Sequence, residues 1–148
     1  MRSTRHLGER SIGIGRAHGY GAGFAEYLRE RSYAIVAQVE SATGVANIEE
    51  IAASDAVDAV LIGPYDLSGS YGVPGEVESE LVQDGIARAL ACCRRHGKPC
   101  GIFAADETRA RRAVAQGFGL VGVGMESTVL LQAWTGLRAA VGGDARGR

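Results

Sequence analysis

Proline is scarce in this sequence, with three in 148 residues, and cysteine is equally rare. Cys92, Cys93 and Cys100 form an odd set without metal-ligand spacing, and ALACC reads as one apolar helix face. They are expected to be buried small hydrophobes in a reducing compartment, which argues against a disulfide-stapled fold. No apolar run approaches the ~18 residues that span a bilayer. The opening MRSTRHLGER lacks the apolar core of a secretory signal, so a cytoplasmic location without membrane contact is expected. A net charge of -1 gives no electrostatic reason to bind nucleic acid or a membrane surface. What the sequence has in abundance is glycine, 22 residues set beside apolar runs, alongside 46% hydrophobic residues. That composition supplies a packed core and glycines for turns and close approaches.

Four runs rich in β-formers punctuate the chain: YAIVAQVE (33–40), DAVLIGPYD (58–66), PCGIFAA (99–105) and GLVGVGME (119–126). None alternates cleanly between polar and apolar, as expected of parallel strands covered on both faces. Each precedes a helical pattern. GVANIEEIAAS places Val45, Ile48, Ile51 and Ala52 on one stripe. A Gly-rich loop leads from the second run into ESELVQDGIARALACCRRHG, whose buried face is expected to be Leu81, Val82, Ile86, Ala89, Leu90 and Cys93, with Gly97 at its end. DETRARRAVAQG offers Asp106 as N-cap and Gly117 as stop, and STVLLQAWTGLRAAVG offers Ser127 as a cap. Alternating strands and helices argue for an α/β fold with parallel strands and right-handed crossovers.

Three regions follow: a glycine-rich leading segment with a short helix carrying Phe24, Tyr27 and Leu28 (1–32), four βα units (33–141), and a disordered tail (142–148). GIGRAHG in the first of these lacks the third glycine of a dinucleotide-binding turn and the Lys-Ser/Thr ending of a phosphate loop.

In parallel βα architectures, functional groups gather where strands end and loops fan out. Gln38 and Glu40 end the first run, Tyr65, Asp66 and Ser68 follow the second, Phe103 nears the end of the third and Glu126 ends the fourth. Carboxylates there can be helix caps. An oxygen-only pair on one rim also suits a hard divalent cation such as Mg²⁺ or Mn²⁺ that keeps several waters. GPYDLSGSYG favours the second reading, because Gly63-Pro64 sets a defined turn and Gly69 and Gly72 let backbone amides approach a ligand.

QVES (38–41) followed by IGPYDLSGSYG (62–72) resembles the HpcH/HpaI-type aldolases of the phosphoenolpyruvate/pyruvate barrel superfamily. GERSIGIGRAHGYG (8–21), GKPCGIFA (97–104) and VGVGMESTVLL (121–131) extend the likeness, from about residue 8 to residue 135. The resemblance implies a TIM-type (β/α)₈ barrel enzyme, a lyase that uses a divalent metal (Mg²⁺ or Mn²⁺, with Co²⁺ a further candidate) to form the enolate of pyruvate or a similar 2-oxo acid. The enolate adds to an aldehyde, or the reverse cleavage of a 4-hydroxy-2-oxo acid occurs. By residue-wise carry-over, Glu40 and Asp66 are metal ligands. Gln38 lies beside the substrate, the amides of Tyr65 and Asp66 hold the 2-oxo acid's carboxylate, and Phe103 lines the aldehyde side.

The same resemblance places the four βα units as strands five to eight of a barrel that needs eight and about 250 residues. The family's catalytic His follows a Gly-Glu at the end of strand two, and its carboxylate-clamping Arg ends strand three. Nothing before residue 8 supplies either. Of the histidines, His6 lies at the frayed start, His96 suits a helix C-terminus, and His18 remains as a candidate base. The expectation is therefore a half barrel that is inactive alone and pairs with itself, as a homo-oligomer, or with a chain supplying strands one to four. A non-catalytic remnant that binds metal and 2-oxo acid, and a citrate-lyase-like enzyme acting on acyl-CoA, are the alternatives.

Overall fold

The structure, a computed structural model, describes residues 13–29 and 33–142. His6 and the tail from residue 143 onward lie outside the described residues. Four short strands form one parallel sheet in chain order: β1 (Val36–Val39), β2 (Ala59–Ile62), β3 (Cys100–Ala104) and β4 (Leu120–Val123). Val39 pairs with Ile62, Ile62 with Ile102, and Ile102 with Val121; β3 and β4 run two residues further, to Ala104 and Val123. This is the parallel order expected from the βα alternation.

Every strand is shorter than its apolar run, most clearly the second. Residues 58–66 read as one strand, yet the chain leaves the sheet after Ile62 and Pro64 opens helix α4 (Pro64–Ser70). Proline at the first helical position loses no hydrogen bond and brings a helical φ. GPYDLSG is therefore the first turn of a helix rather than a loop. Likewise Glu126 begins α7 (Glu126–Ala140) instead of ending the fourth strand.

One face of the sheet is covered. Val39, Val60, Ile62, Cys100 and Ile102 pack against α2 (Ala42–Ala46), α3 (Ile48–Ala53), α5 (Glu80–Arg95) and α6 (Glu107–Gln116) through Val45, Ile48, Ala52, Val82, Ile86, Ala89, Leu90, Cys93 and Ala113. Cys92, Cys93 and Cys100 are all buried, as their apolar context requires. Leu81, assigned by its position to the buried stripe, is 49% exposed. Its neighbour Val82 in the same turn is wholly buried, so Leu81 lies just off the buried stripe rather than on it.

The helix ends follow the sequence in two cases and depart from it in one. The Asp106 carboxylate accepts the Arg109 amide at 2.8 Å and starts α6. Gly117, at φ 82°, ends that helix with its own amide and that of Phe118 donating to Val114 and Ala113. Any side chain there would be strained, and a Cβ would lie 2.5 Å from the Arg94 guanidinium. Ser127, by contrast, does not cap α7. Gly124 turns the chain at φ 65°, Met125 takes the capping position, and Ser127 falls within the first helical turn.

The opposite sheet face and α7 are open. Alternation along the strands places Gln38, Leu61, Gly101, Phe103 and Leu120 on that second face, where Leu120 is 53% exposed. Val123, on the helix-covered side, is 60% exposed because α7 buries none of its residues. Leu130, Leu131, Trp134 and Leu137 on α7 are exposed as well. Among the described residues, nothing covers this apolar area.

Candidate functional site

Glu40 leaves β1 directly into Ser41, whose hydroxyl accepts the Gly44 amide at 3.1 Å and caps α2. The cap fixes where the strand stops and so where Glu40 stands. The Ala42 amide donates to Ser70 Oγ at 2.9 Å, which ties this turn to the last turn of α4. The two loops that follow β1 and β2 are thereby held together at the C-terminal rim of the sheet.

Within that rim, Gln38 Nε2 donates to Glu40 Oε2 at 2.6 Å. Both side chains lie over Gly63. A Cβ built on Gly63 would meet Glu40 Cβ at 3.2 Å, Gln38 Nε2 at 3.5 Å and Glu40 Oε2 at 3.6 Å. Glycine is needed here because the carboxylate crosses directly over the backbone. A Gly63→Ala change forces Glu40 aside by a few tenths of an ångström. A displaced rotamer costs about 0.5–1.5 kcal/mol, so cation affinity at Glu40 is expected to fall roughly three- to tenfold while the urea midpoint hardly moves. Manganese titration of the two proteins reads this directly.

Asp66 sits in the first turn of α4, exposed, and forms no ion pair among the described residues. The helix begins without a side-chain cap, and the first amide to close onto it is that of Leu67, which donates to Gly63 O at 3.0 Å. The amides of Tyr65 and Asp66 precede it and have no intrahelical acceptor. Ser68, wholly buried, braces the turn: its hydroxyl donates to Tyr65 O at 2.6 Å and accepts the Gly75 amide at 2.9 Å. Removing it as Ser68→Ala is expected to cost about 1–2 kcal/mol, seen as a lower urea midpoint with an unchanged m value.

Phe103 reaches a different part of the rim. With Pro64, Tyr65, Ile86 and Ala113 it lines a pocket between the ends of β2 and β3, α5 and α6, with Glu78 and Arg109 at its side. Glu78 accepts Arg109 Nε at 3.0 Å and Arg112 Nη1 at 2.5 Å, and Arg109 also pairs with Asp106. This network escaped the sequence reading because Glu78 precedes α5 while both arginines lie on α6, with only their interleaved charges to hint at it. Arg112, then Arg109, holds the Glu78 carboxyl below its ordinary value of 4.5 against a smaller opposing effect of burial. A carboxylate stabilised in the folded state contributes fully above that ordinary value and loses its contribution as pH falls through the lowered one. The urea midpoint is therefore expected to drop as pH falls from the ordinary value of 4.5 through the lowered one, and Glu78→Gln to remove part of that drop.

His18 is no part of this rim. It is buried in its own segment, with Nε2 3.0 Å from both the Gly15 amide and Gly13 O, and Nδ1 accepting the Gly21 amide at 3.0 Å. Phe24 and Tyr27 pack edge-on against its ring at 4.9 and 5.5 Å. A ring whose two nitrogens are both engaged by backbone organises the 3₁₀ turn Arg16–Gly21 rather than relaying protons. His18, the candidate base named from the sequence, has its ring nitrogens bonded within its own segment. Glu126, on the first turn of α7, is exposed and lies after the outermost strand.

The structure therefore brings Gln38, Glu40 and Gly63 together, sets Asp66 in the first turn of α4, and puts Tyr65 and Phe103 beside one pocket. The donor set at this rim, carboxylate oxygens open to solvent, fits a hard divalent cation that retains water.

Comparison with known proteins agrees with this architecture. The family model described as HpcH/HpaI aldolase/citrate lyase matches residues 4–133. The hydroxypyruvate/pyruvate aldolase of Pseudomonas aeruginosa is 37% identical over 151 aligned positions, covering 98% of this chain and 56% of that protein. A 5-keto-4-deoxy-D-glucarate aldolase of Klebsiella pneumoniae is 41% identical over 103 positions, covering 70% of this chain and 40% of the relative. The crystal structure of a HpcH/HpaI aldolase/citrate lyase family protein from Burkholderia cenocepacia superposes with a TM-score of 0.81 at 35% identity, covering 90% of this chain and 52% of that one. The chain thus spans about half the length of the curated relatives it matches, and its sheet corresponds to part of a TIM barrel. By sequence and by fold, it belongs to the HpcH/HpaI aldolase/citrate lyase family.

Proposed function

We propose that this chain carries the metal-binding rim of an aldolase that cleaves or forms 4-hydroxy-2-oxo acids, giving pyruvate or a similar 2-oxo acid and an aldehyde. The observation that carries the reading is that Glu40 directly follows β1 and Asp66 lies in the first turn of α4, just after the adjacent parallel strand β2, with Glu40 held over Gly63 by Gln38. Two relatives of matching sequence are named as aldolases acting on hydroxypyruvate/pyruvate and on a keto-deoxy sugar acid.

Glu40 and Asp66 would hold Mg²⁺ or Mn²⁺. When bound, such an ion acts as a Lewis acid on a ketone and offsets the negative charge that develops as an enolate forms. The chain's own residues supply the surroundings. The Gln38 amide, held by Glu40, orients that carboxylate and presents its remaining hydrogen-bonding groups to the substrate. The amides of Tyr65 and Asp66 are donors suited to the carboxylate of a 2-oxo acid. Phe103, on the sheet face it shares with Gln38, would line the aldehyde side of the site. The open sheet face and α7 are covered by a partner chain, either a further copy or one carrying the remaining strands of the barrel.

Enolisation can be followed without knowing the aldehyde. The test incubates pyruvate in D₂O with Mg²⁺, the 148-residue chain, and the part of the Pseudomonas aeruginosa relative that this chain does not cover. Loss of the methyl proton signal above the metal-only rate, and its disappearance in Asp66→Ala, is the expected result. Exchange that persists in Asp66→Ala, or none in the mixture whose association is shown by sedimentation, contradicts the proposal.

A further inference from the structure

Away from the rim, three donor atoms of unlike chemistry converge. Glu49 is in the first turn of α3. Cys92 lies in the last turns of α5, and His96 is the C-cap of that helix. Positions 92 and 96 share one helix face, the i, i+4 spacing by which helices present paired metal ligands. Cys92 Sγ is 3.2 Å from Glu49 Oε2, and His96 Nε2 is 2.7 Å from Glu49 Oε1. One ligand atom from each residue lies within 4.8 Å of the other two. Tetrahedral zinc, with bonds of about 2.0–2.3 Å, sets its ligands about 3.5 Å apart, so small rotations of the two exposed side chains bring the set into register.

We infer that Glu49, Cys92 and His96 form a second, softer metal site, suited to Zn²⁺, that clasps α3 to α5. Mixed thiolate, imidazole and carboxylate donors select borderline ions, whereas the oxygen-only rim selects hard ones. The cluster lies where α5 ends and the chain turns towards the start of β3, opposite the rim. That position suits a structural ion rather than a catalytic one.

An ion pair alone does not account for this arrangement. Arg95 Nη2 already lies 2.7 Å from Glu49 Oε2, which is enough to neutralise an exposed carboxylate. Yet a fully buried thiol and an imidazole also converge on the same two oxygens. His96, Cys92 and Arg95 all approach the Glu49 carboxylate, at 2.7, 3.2 and 2.7 Å. Binding replaces the Cys92 S–H bond with an S–Zn bond, and the displaced proton leaves to solvent. Solvent reaches the site from the Glu49 and His96 side, with Cys92 as its floor. Arg95 is the one nearby cation paired to Glu49 that the ion has to displace, and its removal strengthens binding.

The chain is stripped with chelator, dialysed against Zn²⁺ and assayed for bound metal. Co²⁺ then serves as a spectroscopic stand-in. The expected result is one Zn²⁺ per chain and a near-ultraviolet thiolate-to-Co²⁺ charge-transfer band. Cys92→Ser removes the band and weakens Zn²⁺ by at least about tenfold, and Arg95→Ala tightens it. Cys93→Ser, altering the adjacent buried thiol, leaves the band in place, as does the Glu40→Ala, Asp66→Ala double variant. Should Cys92→Ser not fold, Glu49→Gln and His96→Gln, at accessible positions, carry the same expectation. Substoichiometric zinc, a Co²⁺ spectrum without the thiolate band, or retention undiminished in Glu49→Gln and His96→Gln overturns the inference. Because it shares no ligand with the rim, its failure leaves the aldolase reading untouched.

Discussion

Replacing both rim carboxylates, as Glu40→Ala and Asp66→Ala together, is expected to slow metal-dependent pyruvate enolisation by roughly 10²–10⁴-fold in the complemented protein. Lewis-acid stabilisation of a developing enolate is worth several kcal/mol, and each 1.4 kcal/mol is about tenfold. Neither side chain supports the core: both are exposed, and the described hydrogen bond they share with the rest of the rim is the one from Gln38 to Glu40. The double variant should therefore keep the far-ultraviolet spectrum and the urea midpoint of the parent to within about 0.5 kcal/mol. A kinetic loss without a stability loss separates a ligand pair from two structural acids. Enolisation within about threefold of the parent would mean that other residues hold the ion.

The second large effect concerns the 148-residue chain by itself. Its rate on a 4-hydroxy-2-oxo acid is expected to stay near that of free Mn²⁺ in water, with no pyruvate release above that background. Enolate chemistry needs a proton relay as well as a charge sink, and general acid–base groups contribute about 10²–10⁴-fold. His18 has both ring nitrogens bonded to backbone of its own segment. His96 is bonded to Glu49 at the other end of α5. Neither is available, and among the described residues no third histidine remains. Adding the missing part of the P. aeruginosa relative should raise pyruvate release by that factor, measured with a coupled lactate dehydrogenase assay. Turnover by the isolated chain near the typical ~10 s⁻¹ of enzymes would show that a base has been overlooked.

Much of this molecule was legible before its structure. Parallel strands announce themselves as short β-branched runs, and the four runs became four strands in the expected order. Asp106 and Gly117 were readable because a cap acts within three or four residues of chain. The start of α4 was not: a segment dense in Gly, Pro and Ser has the composition of a loop, and only burial of Leu67 and Ser68 beneath it reveals a helix. The exposure of α7 was equally hidden. Its apolar stripe reads as a core helix, but the pattern specifies a partner surface without saying where that surface lies.

At the candidate site, sequence supplied names for the residues but not for the contacts that support them. Gln38, Glu40, Tyr65, Asp66 and Phe103 were named from strand ends and from the family likeness. The Ser70 link to Ala42, the Glu78 network with Arg109 and Arg112, and the Glu49, Cys92, His96 cluster all join residues 28 to 47 positions apart. No local periodicity encodes such contacts. Cys92 illustrates the limit: its spacing to the other cysteines excludes a thiolate cluster, while its partners come from a glutamate on another helix and a histidine one turn away.

The most direct test of the rim is a calorimetric titration with Mn²⁺, run on a Cys92→Ser background so that the softer cluster adds no heat. A single weak site per chain, lost in Glu40→Ala, Asp66→Ala and weakened in Gly63→Ala, is the predicted result. Equal binding by the parent and the double variant would contradict the account.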